Sequence, residues 1–322
     1  MRRVLTRRAF LGLLALSAGC KLFNPTPDTV GPVGYNRTGG PPKADDLVAY
    51  LNRNAQPVTS VEAKDALVTA RQAGEQPIDL TSYLACQKGA RPGTPPNFRL
   101  QSYVVGNEEV DIGSNNQEFW FWIKRAPQPY VYHCSYADFP EVAKRGAMPF
   151  PFQPEWVVEA LGMAEYDPKA KYEVNESKTT YDLVQRSRSP HGNEVAKVIA
   201  FHKAPRAGQS QVAAYLIYEA DEKGQYPKDR PPVCSAFIED SQAVSVGGKT
   251  VVLPVKVRLS CPKEKVELTI NLGKTKVNQP FGQTDPNILF TRRTLNSYKS
   301  YDLARGPDAP ASGVRPAGGL ER

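Results

Sequence analysis

The stretch "TVVLPVKVRLSC", residues 250–261, decides the fold of this chain. In an extended strand, successive side chains point to opposite faces. One face here carries Val251, Leu253, Val255, Val257, Leu259 and Cys261, and the other carries Val252, Pro254, Lys256, Arg258 and Ser260. "VELTINL", 266–272, repeats the pattern, with Val266, Leu268, Ile270 and Leu272 against Glu267, Thr269 and Asn271. One dry face and one wet face is what an antiparallel sheet covered on a single side requires.

The same period of two runs outward through most of the chain. It is punctuated by Gly74, "RPGTPPN", Gly106-Asn107, "SPHGN", "PRAGQ", "DEKGQ" and Gly247-Gly248. About eleven to thirteen strands joined by short turns predict an antiparallel meander. A sheet that long curls or closes. The fold class expected is therefore mostly β: a curved antiparallel sheet or incomplete β-barrel, lidded by a few short helices. Helical period is local. "KADDLVAYLNRNA" places Leu47, Val48 and Leu51 on one stripe, with Asp45 and Asp46 in the first turn. "PEWVVEALGM" has Pro154 at the start, Trp156, Val157, Ala160 and Leu161 on one side and Gly162 as a stop. A third, weaker helix covers 138–145.

"EFWFW", 118–122, departs from the alternation. Phe119 and Phe121 face one way, Trp120 and Trp122 the other. Each ring buries roughly 150–250 Å². Either protein covers both faces of this strand, or one pair lines a cavity that accepts something apolar. Tyr130, Tyr132 and Tyr136 in "PYVYHCSY" extend the aromatic supply.

The cysteines add a distance constraint. If Gly247-Gly248 is a two-residue hairpin turn, cross-strand partners sum to 495, as do 234 and 261. The same register sets Ala236 opposite Leu259 and Ile238 opposite Val257. Directly opposed residues lie within the Cα range of a disulfide. Cys234–Cys261 is thus the expected bridge, with Pro254 the position where a bulge could shift the register. Cys86–Cys134 follows by elimination, two buried free thiols being the alternative.

The beginning of the chain, "MRRVLTRRAFLGLLALSAGCK", reads as an export signal, its apolar run being too short to span a bilayer. "LSAGC" resembles a bacterial lipobox, in which Cys20 is acylated after residues 1–19 are removed; Ser17 departs from the usual branched aliphatic residue. "TRRAFL" is similar to a twin-arginine motif, so export by that route or by the general one stays open. Residues 20–43 are rich in Pro and Gly, a spacer composition, and 304–322 share it. The folded domain is expected over 44–303.

Several function classes are excluded on this reading. Removal of Arg2, Arg3, Arg7 and Arg8 with the signal lowers the formal charge from +8 to +4, which is no argument for nucleic acid. His133 and Cys134 are adjacent on a strand and project to opposite faces, so they cannot form a nucleophile–base pair. His191 and His202 have no ligand spacing. "GGKT" fails as a phosphate loop because Ala243 stands where glycine is needed and a strand follows; "GKTK" fails at Leu268. No catalytic residue, metal or cofactor is assigned.

The lipobox, spacer, leading helix, long meander and mid-chain helix together resemble the LolA/LolB-like lipoprotein-carrier superfamily. "DIGSNNQEFWFWIKR…PYVYHCSY", "LPVKVRLSCPKEKVELTINLGKTKVNQPF" and "PFQPEWVVEALGM" are similar to envelope lipoproteins assigned to that group. The resemblance implies an incomplete barrel whose aromatic hollow takes acyl chains. One pair among Phe119, Trp120, Phe121 and Trp122, with Tyr130 or Tyr132, would line it, and Trp156 and Leu161 would face it from the lid. It also implies a monomer, anchored by Cys20 and facing the periplasm. Lys21, not being Asp, favours the outer membrane. The competing expectation is a scaffolding lipoprotein with a filled core, working through its surface and its tail.

Overall fold

The computed structural model describes residues 40–307, apart from 92, 146–153, 189–193, 206–208, 221–224, 227–229 and 283–284. Cys20, the spacer up to residue 39 and the tail after 307 lie outside the described residues. α1 (Ala44–Ala55) leads into β1 (Ser60–Gln72), β2 (Ile78–Gln87), β3 (Asn97–Val104), β4 (Asn107–Ser114), β5 (Glu118–Ile123) and β6 (Val131–Ser135). α2 (Phe139–Lys144) and α3 (Pro154–Ala160) follow. A second run comprises β7 (Glu173–Glu176), β8 (Thr180–Arg188), β9 (Glu194–His202), β10 (Val212–Glu219), β11 (Cys234–Val246), β12 (Lys249–Cys261) and β13 (Val266–Asn271). The chain then adds β14 (Thr275–Val277), α4 (Pro286–Leu289), β15 (Ser300–Asp302) and β16 (Gly306–Pro307).

All strands among the described residues belong to one curved 16-stranded sheet that does not close into a barrel. The expected count of about eleven to thirteen is therefore too low. The extra members include β14, β15 and β16, two or three residues long, too short to show a period. β1–β6 form one meander and β7–β13 another, and antiparallel pairing of β1 with β13 joins them. β15 pairs with β6 in parallel, which departs from an all-antiparallel order. Parallel pairing is possible because the chain reaches that edge after crossing the sheet.

The 250–261 strand behaves as its alternation requires. Val251, Leu253, Val257, Leu259 and Cys261 enter the main core together with Ile270 and Leu272. Val255 is the exception and is half-buried beside Pro254. Gly247 and Gly248 both take positive φ, 57° and 77°, the geometry of a tight primed turn. Partners then run Val246↔Lys249 to Ser241↔Pro254, become irregular near Asp240, and resume at Ile238↔Val257 and Ala236↔Leu259. The disturbance at Pro254 cancels itself, since two residues on each strand span it. The register sum of 495 survives, and Cys234 and Cys261 form a disulfide with Cα atoms 4.5 Å apart.

Cys86–Cys134 does not form. Both are free, buried thiols, one on β2 and the other on β6, with three strands between them. Neighbouring strands lie about 4.8 Å apart, so the two cysteines are well beyond bridging distance.

The first three helices cover one face, here called inner. α1 buries Leu47, Val48, Tyr50 and Leu51 against Leu183, Ile199, Phe201 and Val212. α2 and α3 contribute Val142, Val157, Val158 and Ala160 to the main core, and Gly162 ends α3 at φ 75°. Two asparagines of α1 hold this layer in place. Asn54 donates to Val252 O and accepts from Val252 N, both at 2.8 Å. It thereby satisfies the backbone of Val252, where β12 extends beyond β13. Asn52 pairs in the same two-fold way with the backbone of Tyr166, at 2.9 and 2.8 Å.

Candidate functional site: the aromatic strand and the helical lid

β5 lies between β4 and β6, so its two faces meet different layers. All four rings of 119–122 are buried, none more than 4% exposed. Phe119 and Phe121 enter the main core on the inner face. Phe119 packs edge-on against Phe139 of α2, with ring centres 5.2 Å apart, and Phe121 stacks on Tyr132 at 5.1 Å. Tyr130, Tyr132 and Tyr301 form a half-buried triad at the β6–β15 edge, with centres 5.5 to 5.8 Å apart.

Trp120 and Trp122 lie on the outer face, opposite the main core that holds Phe119 and Phe121. The two indoles are covered by the described residues of 278–282 and 285–299, a strap that crosses the back of β2–β5. Trp122 meets Tyr298 with ring centres 4.9 Å apart, and the Arg99 guanidinium sits 5.3 Å from the Trp120 ring. The strap buries Phe281, Leu289 and Phe290 against Ala85. Arg99 donates to Thr291 O at 2.9 Å and to Asp111 at 2.6 Å, while Arg293 reaches Asp111 at 2.9 Å and pairs with Glu108. Arg292 holds Glu118 at 3.2 Å. Sequence reasoning missed this strap. Its visible signal was the basic pair Arg292-Arg293 beside an apolar "NILF", opposite acidic residues of β4 and β5.

The second meander presents a pocket beneath α3. Three positions paired across β9–β11, Lys197, Ile217 and Cys234, line one side of it. Beside them, Ile199, Tyr215, Ala236 and Leu259 form an apolar row. Trp156 and Glu159 close it from above. Its free space for water-sized contents is about 30 Å³. Ligand sites run to roughly 300 Å³ or more, so the inner layer is packed shut at this point. Leu161 is buried in the same core, and Trp156 is half-buried against it.

α3 carries two carboxylates, Glu155 and Glu159, one helical turn apart and each bound by a phenol. Tyr136 donates to Glu155, and Tyr166 donates to Glu159 at 2.7 Å. Burial raises the Glu155 carboxyl above its ordinary range, opposed by the Tyr136 hydrogen bond. Burial also drives the Tyr166 and Tyr215 phenols well up, with the Glu159 charge adding to the effect. The phenols therefore stay protonated and serve as donors. Cys134 is pushed up to about 11, mainly by burial, and is an inert thiol. No helix among the described residues is long and apolar enough to cross a membrane.

No protein-family model matches the sequence, and no curated protein does. The structure is similar to a Vibrio parahaemolyticus domain assigned to outer membrane lipoprotein sorting. The TM-score is 0.50 and the identity 11%, with 77% of this chain and 100% of that one covered. A DUF1329 family protein from Desulfovibrio piger matches with TM-score 0.45 and 10% identity over 74% and 93% of the two chains. A LolA superfamily protein from Nitrosomonas europaea matches with TM-score 0.40 and 9% identity over 76% and 97%. The likeness is one of fold, shared with the Vibrio parahaemolyticus domain.

Proposed function

We propose that this protein is an envelope lipoprotein that receives an acyl chain, from a lipid or from another lipoprotein, between α3 and the inner face of the sheet. The reading joins the LolA-like fold to the apolar inner row beneath a lid helix of only seven residues. The hollow is lined on the first meander by Phe119, Phe121 and Tyr132 and reached beside Trp156. In this reading residues 1–19 are removed, Cys20 carries the anchor, 20–43 form the spacer and 44–303 the domain, held as a monomer at the periplasmic side of the outer membrane. The observation that carries it is the apolar floor that β9–β12 present beneath α3.

One observation favours the scaffold reading instead. The pocket's free space is about 30 Å³, the size of a single water rather than a chain. An acyl ligand therefore requires α3 to lift. Native mass spectrometry of the full chain carrying Cys20→Ser, offered phospholipid or an acylated peptide, separates the two. A stoichiometric complex with a change in Trp156 emission supports the acyl site. No complex at any ratio leaves the filled-core scaffold.

A further inference from the structure

The rim of the α3 pocket carries charge of both signs over an apolar floor. Glu159 already accepts one hydrogen bond, from Tyr166 at 2.7 Å, and a carboxylate has acceptor capacity beyond that. Tyr166 lies between Glu159 and Tyr215, so a half-buried phenol pair holds the carboxylate in one orientation. Lys197 lies on the opposite wall, on β9, and among the described residues makes no ion pair. It shares the inner face of β9 with Ile199, two residues along, because alternate residues of a strand share a face. An amphiphile whose chain follows Ile199 and Tyr215 inward leaves its head between Glu159 and Lys197.

We propose that this pocket is a port for a single acyl chain bearing a zwitterionic head, its ammonium held by Glu159 and its phosphate by Lys197. The inference rests on the acyl-binding reading above and adds the class of headgroup to it. A purely anionic head meets Lys197 but is repelled by Glu159, so the two charges discriminate by difference. Charge-assisted hydrogen bonds in a partly desolvated rim are strong enough to express that difference as about tenfold in affinity.

The test uses the full chain with Cys20→Ser, titrated below micelle formation with lauroyl lysophosphatidylethanolamine, lauroyl lysophosphatidylglycerol and laurate. Trp156 emission is the signal, because Trp120 and Trp122 lie on the outer face; Trp156→Phe gives the background. Lysophosphatidylethanolamine should bind about tenfold more tightly than either anionic probe. Glu159→Gln should equalise the two lysolipids, and Lys197→Met should weaken both. If Glu159→Gln loses the fold, the wild-type order and the Lys197→Met titration still decide. Equal affinity for all three probes, or a preference that survives both substitutions, overturns the headgroup inference while leaving the acyl site standing. No binding of any probe overturns both.

Discussion

Gly113 faces Trp120 directly across the β4–β5 ladder, and a methyl group there has nowhere to go. A Cβ built on Gly113 falls 2.3 Å from Cζ2 and 2.5 Å from Cε2 of the indole, and 3.0 Å from Phe98 O. The indole is only 1% exposed and cannot retreat, since Arg99 and the strap lie over it. Over-packing a core by one methyl costs roughly 1–3 kcal/mol. Complete expulsion of the ring would forfeit burial of roughly 200 Å², about 5 kcal/mol at ~25 cal/mol/Å². Gly113→Ala should fall between these limits, at about 3 kcal/mol, lowering Tm by roughly 6–12 °C for a domain of this size. Urea unfolding followed by far-ultraviolet circular dichroism measures the first, and calorimetry the second. A cycle with Trp120→Leu isolates the clash: with the ring gone, Gly113→Ala should cost at least about 1 kcal/mol less. A Gly113→Ala protein within about 0.5 kcal/mol of wild type, or an additive cycle, would refute the close-packed account of the outer face.

Three other outcomes follow from the geometry. Replacing Cys234 and Cys261 by serine should lower stability by roughly 3–4 kcal/mol, given a sequence separation of 27, while alkylation of the unreduced, unfolded wild type should label Cys86 and Cys134. Arg99→Met leaves Asp111 buried with Arg293 as its remaining partner and should cost about 3 kcal/mol; Arg99→Met with Asp111→Leu should cost less, read by the same urea titrations. Burial raises Glu155 above its ordinary 4.5, so between the unfolded and folded values the native state binds more protons and stability falls as pH rises. Glu155→Gln should therefore gain on wild type from pH 4 to neutrality, and a constant difference across that range would contradict the assignment.

Period two, turn chemistry and residue count determined much of this protein from sequence alone. They fixed a one-sided antiparallel sheet, the helices at 44–55 and 154–160, and the register of the Gly247-Gly248 hairpin with its disulfide. These are local or near-neighbour properties, decided by backbone geometry within a few tens of residues. The strand 118–122 shows where that logic stops. Alternation assigns Phe119 and Phe121 to one face and Trp120 and Trp122 to the other, but it says nothing of what covers either. Only the tertiary structure laid α2 on the phenyl rings and brought the strap, more than 150 residues downstream, over the indoles. The same holds for the β1–β13 seam, the parallel β15 and the separation of Cys86 from Cys134. Such contacts depend on the path of the whole chain, and a residue's burial is a property of its distant neighbours rather than of its own strand.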